Sequence, residues 1–364
     1  MVLKQTPPKH IIDDKDTASL RELYKLVSEA VQQLPRSRIT NLKIKLFILP
    51  SIYFGLYMTI LLFTNQIWLL YLLYSLMGIM VVVIFSNLIH ELCHGNIFKS
   101  IRHNSLAYYL FDLLGANSYI WQQRHIKLHH RYPNINGWDA DVEQRGPITI
   151  FPNEGKKYFQ RYQHKYVFLL YPLFLLNWLL VRDFRDYFSS QRVIRKTINI
   201  PKIEYFKLFF FKSFYLSMII VIPWILTGFS LIQVLGGFLL LSFTGSITAM
   251  LILLTSHINS GNEFPIVNES GEISMSWLRH QLITINDISN TNWFIRNVMG
   301  NFNYHLAHHL FPKISSVYAP EVTQIVKTYL ENNDLPYRSY PLGTSFKKHY
   351  QLLREIAIRT DNII

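Results

Sequence analysis

Eight of the 14 histidines fall into three short clusters. His90 and His94 stand in HELCH, His125, His129 and His130 in HIKLHH, and His305, His308 and His309 in HLAHH. Their spacings of three, four and five send two or three imidazoles from adjoining parts of one helical face. Imidazole suits zinc, copper, iron and nickel alike, so the residue type points to a metal without naming it. A ninth histidine, His257 in LLTSHINS, follows the last long apolar segment and is placed to join the others. Nine imidazoles exceed what one metal uses at about four to six ligands. They suit two metals sharing a site. The isolated His10, His103, His164 and His349 read as surface or satisfied core residues.

HELCH also fits the HExxH pattern of zinc proteases, in which His90 and His94 would bind zinc and Glu91 would be the general base. That reading needs one more ligand and leaves six clustered histidines without a role. Glu91 faces roughly 100° away from His90 on a helix, which suits orienting an imidazole N–H. Cys93, the one cysteine, reads as a small buried residue and cannot form an internal disulfide.

The elements that must position these groups are apolar. Half of the 364 residues are hydrophobic and only 16% are charged, against about 25% in soluble domains. A membrane-spanning helix needs roughly 20 apolar residues, and four segments qualify: Leu46 to Phe63, Ile67 to Ile89, Leu208 to Thr227 and Leu231 to Ser256. Tight, uncharged turns join them as two hairpins. Tyr166 to Val181, interrupted by Pro172, and Leu106 to Trp121 read as interfacial or re-entrant helices, because a fifth crossing would put the histidine clusters on opposite sides. The expected fold is an all-α membrane protein: four transmembrane helices in two hairpins, interfacial helices and a helical cap. Residues 1–40 form an N-terminal segment, 41–312 the membrane domain, and 313–364 a helical tail of the same domain.

The net charge of +13 finds its explanation in topology rather than nucleic acid. Arg36, Arg38, Lys43 and Lys45, the basic residues of 90–206, and the tail all lie on the side opposite the turns, which by the positive-inside rule is cytoplasmic. Both termini and the histidines are expected there. Lys207 and Lys212 are expected to snorkel to the interface. Arg182, Arg185, Arg192, Arg195 and Lys196 form a basic face for headgroups, a CoA phosphate or an acidic carrier. Residues 1–40 carry no apolar core of a cleavable signal, so the first hydrophobic segment is expected to direct insertion.

The three clusters resemble the histidine boxes of the membrane fatty acid desaturase family, and the likeness runs from about residue 40 to 350. The segments HHRYPNINGWDAD (129–141), SHINSGNEFP (256–265), WLRHQLITINDIS (277–289) and NYHLAHHLFP (303–312) are similar to the branch that includes linoleoyl-CoA and front-end desaturases. The resemblance implies a di-iron centre, with two Fe ions per chain held by His90, His94, His125, His129, His130, His257, His305, His308 and His309. It further implies O2 as co-substrate, and a fatty acyl chain carried on CoA, a carrier protein or a lipid. Electrons would come from a separate ferredoxin or cytochrome b5 type carrier, since no HPGG haem motif stands in the first 40 residues. Around the ligands, the matched stretches make Asp139, Asp141, His280 and Gln281 supporting residues, and Asn303 precedes the third box. His305 stands where front-end members commonly have Gln, and Leu253 where stearoyl-CoA desaturases hold a water with Asn.

The chemistry agrees with the resemblance. Breaking a methylene C–H bond needs a redox metal, which zinc is not. The acyl chain would need a narrow apolar tunnel, for which Phe85, Tyr119 and Trp121 are candidate walls. A lipid hydroxylase or ketolase of the same architecture, and a zinc protease built on HELCH, remain the alternatives.

Overall fold

A computed structural model describes residues 5–143, 146–254 and 256–359. Thr255 of the fourth expected span, and the outermost residues of both terminal segments, lie outside the described residues. Asp13 opens the first helix, α1 (Asp14–Gln33), by accepting the N–H of Asp16 at 2.9 Å, satisfying a donor that the helix start leaves free. Two long helices follow, α2 (Ser37–Phe63) and α3 (Ile67–His94). Both are apolar around most of their circumference, so packing one face leaves the other outward: Phe47 and Phe63 are each 73% exposed. An apolar helix with an unburied outer face belongs in lipid.

Two short helices, α4 (Ile101–Tyr108) and α5 (Ser118–Arg124), come next. After a broken stretch, α6 (Lys202–Leu226) and α7 (Leu231–Leu253) make the second long pair. Helices α3 and α7 cross closely at Gly78 and Gly245. A Cβ at Gly78 would overlap the Leu241 carbonyl, so the approach requires glycine. The chain is a mostly helical, multi-pass membrane protein. Its only described sheet consists of parallel two-residue pairs, Lys9–His10 with Glu272–Ile273 and Asp287–Ile288 with Ser339–Tyr340.

Five stretches, not four, are long and apolar enough to cross a membrane. The additional one, Tyr158–Thr197, is broken. A 3₁₀ turn at Tyr171–Leu173 holds Pro172, and Ser246 Oγ of α7 accepts the N–H of Leu175 at 2.9 Å. Its later part buries Arg182, Asp183 and Asp186, the opposite of a lipid-facing helix.

Helix α6 carries a π turn at Ser217–Val221, and the hydroxyls of Tyr57 and Tyr74 donate to the Met218 and Ile219 carbonyls at 2.8 and 2.6 Å. Carbonyls loosened by a π turn need such donors where no water reaches. Lys212 is not at the interface as its position suggests. It is buried, donating to Asp183 Oδ2 at 2.7 Å and to the Gly115 carbonyl at 2.6 Å.

The cap is built from α1, α8 (Trp277–Thr284), α9 (His305–Leu310), α10 (Ala319–Asn332) and α11 (Leu342–Ile358). Leu23 and Val27 of α1, Leu278 and Leu282 of α8, Leu306 and Leu310 of α9, and Val322 and Val326 of α10 share one apolar core. The N-terminal helix therefore braces the helix that carries the third histidine cluster.

Candidate metal centre

The first cluster occupies the last turn of α3, closed by Gly95 at φ 76°. The N–H groups of Gly95 and Asn96 there return to the carbonyls of Leu92 and Glu91, a left-handed cap that glycine makes without strain. A π turn at Phe85–Ile89 precedes it. The second cluster lies on a further π turn, His125–His129, continuing α5. The N–H of His130 donates to the His125 carbonyl at 3.0 Å, so these residues, roughly 140° apart on an α-helix, lie side by side. The third cluster is α9, whose start is capped by Asp287 Oδ1 accepting the N–H of Leu306 at 2.8 Å. His257 follows α7, its carbonyl held by Asn134 Nδ2 at 3.0 Å and Asn262 Nδ2 at 3.1 Å.

These four segments bring the nine histidines into two adjoining groups. The ligand nitrogens of His90, His94, His125 and His308 lie within 4.8 Å of one another, as do those of His129, His257, His305 and His309. His130 joins the first group, with Nε2 3.2 Å from His125 Nε2 and 3.1 Å from His308 Nε2. Across the groups, the His130 and His309 rings stack at 4.3 Å. His94 Nε2 and His309 Nε2 are buried without any hydrogen-bond partner. So many imidazole nitrogens crowded together away from water are costly unless a cation gathers them.

The outer ring nitrogens are held in place. His125 Nδ1 lies 2.8 Å from Asp141 Oδ2, His129 Nδ1 2.9 Å from Asp139 Oδ1, and His309 Nδ1 3.1 Å from Gln281 Oε1. An Nδ1–H donated outward leaves the Nε2 lone pair facing inward. Asp139 is itself fixed, accepting the N–H groups of Asn134, Asp141 and Val142. Burial, with neighbouring imidazoles second, pushes His130, His257, His305, His308 and His309 well below the ordinary histidine value. They are neutral, as metal ligation requires. Burial also disfavours the charged form of His129, but Asp139 outweighs it and holds this histidine above its usual value. Asp141 is raised by burial and lowered more strongly by His125 and Arg124, ending well below the usual carboxylate range.

Three expected supports do not reach a ligand histidine. Glu91 Oε1 accepts the N–H of Ser316 at 3.1 Å, tying the end of α3 to the segment before α10, because a carboxylate 100° round the helix faces the cap. His280 bridges His10 Nε2 at 2.9 Å and the Pro133 carbonyl at 2.8 Å. Asn303 donates to the carbonyls of Ile288 and Asn290 at 3.2 and 3.3 Å, shaping the turn into α9.

Of the five residues of the expected basic face, Arg185, Arg195 and Lys196 are partly exposed and two are not surface groups. Arg182 and Arg192 are buried, and with Arg124 they form a network: Arg124 Nη1 to Asp186 Oδ2 at 2.5 Å, Arg124 Nε to Asp141 at 3.3 Å, and Arg192 Nε to Asp186 Oδ1 at 2.7 Å. Sequence reasoning passes over Arg124, Asn134 and Asp186. The available signal was a lone arginine within the helix that enters the second cluster.

A cavity of about 530 Å³ opens beside both groups, touching His125, His129, His257 and His305. Phe85, Trp121, Phe174, Trp178, Met250 and Leu253 give it apolar walls, while Arg182, Arg185 and Arg192 also line it. A second, apolar chamber of about 70 Å³ shares Phe85, Phe174, Trp178 and Leu253 with it and is also lined by Tyr215 and Leu241. Of the expected wall residues, Phe85 and Trp121 line the cavity and Tyr119 does not.

Comparison with known proteins follows the same direction. A family model described as fatty acid desaturase matches residues 66–341. The chain is 26% identical to an acyl-lipid (8-3)-desaturase of Physcomitrium patens, over 94% of this chain and 73% of that one. It is 26% identical to an sn-1 linoleoyl-lipid 6-desaturase of Arthrospira platensis, over 76% and 74% of the two chains. A protein of the same description from Synechocystis sp. is 29% identical over 73% and 76%.

Proposed function

The chain belongs to the fatty acid desaturase family, and from that premise we propose that it inserts a cis double bond into the acyl chain of a membrane lipid at a di-iron site. The observation that carries the reading is the convergence of nine histidines, eight buried and His308 half-buried, into two adjoining ligand groups beside an apolar cavity. His90, His94, His125, His130 and His308 would hold one iron, and His129, His257, His305 and His309 the other. When bound, the iron pair supplies the oxygen-dependent redox chemistry that removes two hydrogens from an unactivated chain. An all-imidazole donor set fits iron as it fits the other imidazole-binding metals, the choice of iron rests on the redox chemistry that zinc lacks, and the buried nitrogens without partners fit ligands.

The chain's own residues supply position and dryness. Asp139, Asp141 and Gln281 fix ring orientation, and an outer-shell replacement of this kind typically costs 10–100-fold in metal affinity. Asp141→Asn is therefore expected to lose iron to a chelator at roughly 10–100-fold lower concentration, read as iron retained per chain. The cavity walls Phe85, Trp121, Met250 and Phe302 hold the acyl chain against the two ligand groups and exclude water. The curated relatives named as acyl-lipid desaturases favour a lipid-bound acyl chain over a CoA ester. Electrons come from a separate ferredoxin or cytochrome b5 type carrier.

The arrangement of the site supports four crossings. His94 ends α3 and His257 follows α7, and they serve adjoining groups, so an even number of crossings separates them. Helices α6 and α7 account for two, and the broken stretch Tyr158–Thr197 enters without crossing. The basic excess on that side supports a cytoplasmic site and termini. The protease reading has its base misdirected, since Glu91 faces Ser316.

The test is expression in a heterologous host with a competent electron donor, profiling fatty acids and measuring metal. New cis double bonds with about two irons per chain are expected. Hydroxy acids in their place, or one zinc, would sink the proposal.

A further inference from the structure

The histidines are open to a further space besides the large cavity. A small pocket of about 20 Å³ lies on the cap side and touches His90, His305 and His308. It shares Phe302 and His305 with the large cavity and none of that cavity's other lining residues. The Phe302 ring, which lines both, is centred 4.9 Å from the His90 ring and 4.9 Å from the His305 ring. His90 and His308 belong to the first ligand group and His305 to the second. The pocket therefore reaches both groups by way of residues that the large cavity mostly does not touch.

Exposure points the same way. His308 is half-buried where the other eight histidines are buried. It lines the small pocket and not the large cavity, so the exposure it has is not toward the acyl side. Asn301, Tyr304 and Ser316 of the lining are half-buried as well. The lining thus passes from half-exposed residues of the cap to the buried ligands His90 and His305.

Size and polarity define the occupant. A buried water needs about 10–15 Å³ and roughly two to four polar partners, so this pocket has room for one small molecule and none for an acyl chain. Polar partners are few. Asn301 Nδ2 is spent on the Ser316 carbonyl at 3.0 Å and the Ser316 N–H on Glu91 at 3.1 Å, while Asn301 Oδ1 and Ser315 Oγ are buried away from open space. Phe302, Ala307, Phe311, Ile314, Ala319 and Val322 make the wall mostly apolar, and a small apolar pocket favours an apolar gas over water. Resting on the desaturase reading, in which dioxygen is consumed while an acyl chain fills the large cavity, we propose that this pocket is a dioxygen site that admits the gas to both ligand groups from the cap side. Phe302 then separates the gas from the acyl chain, and a bound lipid does not obstruct the approach of dioxygen.

Two measurements on the full-length purified protein test this. Crystals pressurised with krypton, an apolar atom close to dioxygen in size, should hold it beside His90 and His308. Ala319→Leu puts a longer apolar side chain into the pocket and should remove that krypton. Krypton kept in the large cavity reports that the variant is folded. A pocket in the unsubstituted protein that takes up no krypton, or that holds an ordered water which krypton does not displace, overturns the proposal. This comparison needs no turnover, so it fails separately from the desaturase reading. The second measurement is desaturation at varied dioxygen. Ala319→Leu is expected to raise the KM for dioxygen roughly 10-fold or more, the range for one misfitted group in an apolar pocket, without raising the KM for the acyl lipid. Adding Val322→Ala returns space to the pocket and should bring the dioxygen KM back. An unchanged dioxygen KM in a variant that has lost its krypton sends the gas through the large cavity or the bilayer and refutes the site. A rise that the double variant does not reverse, or one confined to the acyl lipid, refutes it equally.

Discussion

Replacing His308 and His309 together with alanine is expected to abolish double-bond formation and to remove both metals from the protein. The two residues are neighbours in sequence but serve different groups: His308 lies with His90, His94 and His125, and His309 with His129, His257 and His305. One short helix, α9, would therefore supply a ligand to each metal. Loss of an outer partner costs roughly 10–100-fold in metal affinity, and loss of a direct ligand should exceed this at both positions. Because metal binding adds to folding free energy wherever the ligands assemble only in the folded state, the melting temperature should fall as well. The check is a fatty acid profile with iron measured per chain, alongside His280→Ala as a comparison. The His280 ring is buried between His10 and Pro133 and contacts no ligand nitrogen, so that variant should keep its iron. Retention of both irons by the double variant would refute the ligand assignment.

Part of this arrangement was legible because imidazole spacing and apolar length are local properties of sequence. Clusters at spacings of three to five on segments flanking 18-residue apolar runs already place the histidines at helix ends near one membrane face. Local spacing does not report helix closure, however. The π turn at His125–His129 is what puts His130 beside His125, since five residues span roughly 140° on an α-helix, and spacing alone did not show how the ligands divide between two groups. Charge was misread for a related reason. Basic residues next to apolar segments ordinarily snorkel, and Lys212 and Arg192 are drawn inward instead by Asp183 and Asp186, partners that only the packed fold brings near. Glu91 and Asn303 were assigned by adjacency to histidines, and adjacency in sequence does not aim a side chain.

Arg124 shows how much depends on partners of that kind. Arg124→Met is expected to destabilise the protein by about 3–5 kcal/mol, the cost of removing one partner from a buried ion pair. The guanidinium and Asp186 are both fully buried, and the same guanidinium reaches Asp141. Methionine fills much of the space but leaves two carboxylates without their cation. Arg192 still meets Asp186, which moderates the loss there; Asp141 keeps only His125. The measurement is thermal or denaturant unfolding in detergent, and a second variant decides the cause. If the cost arises from unpaired charge rather than lost packing, Arg124→Met combined with Asp186→Asn should recover a substantial part of it, because the amide removes the carboxylate charge while its Oδ1 still accepts from Arg192 Nε. If the double variant is worse than the single one, Arg124 acts through packing, and Trp178, whose ring lies 5.0 Å from the guanidinium, is the contact responsible. Where unpaired charge is the cause, the double variant should regain stability while iron affinity stays below that of the unsubstituted protein, since its Asp141 still lacks Arg124.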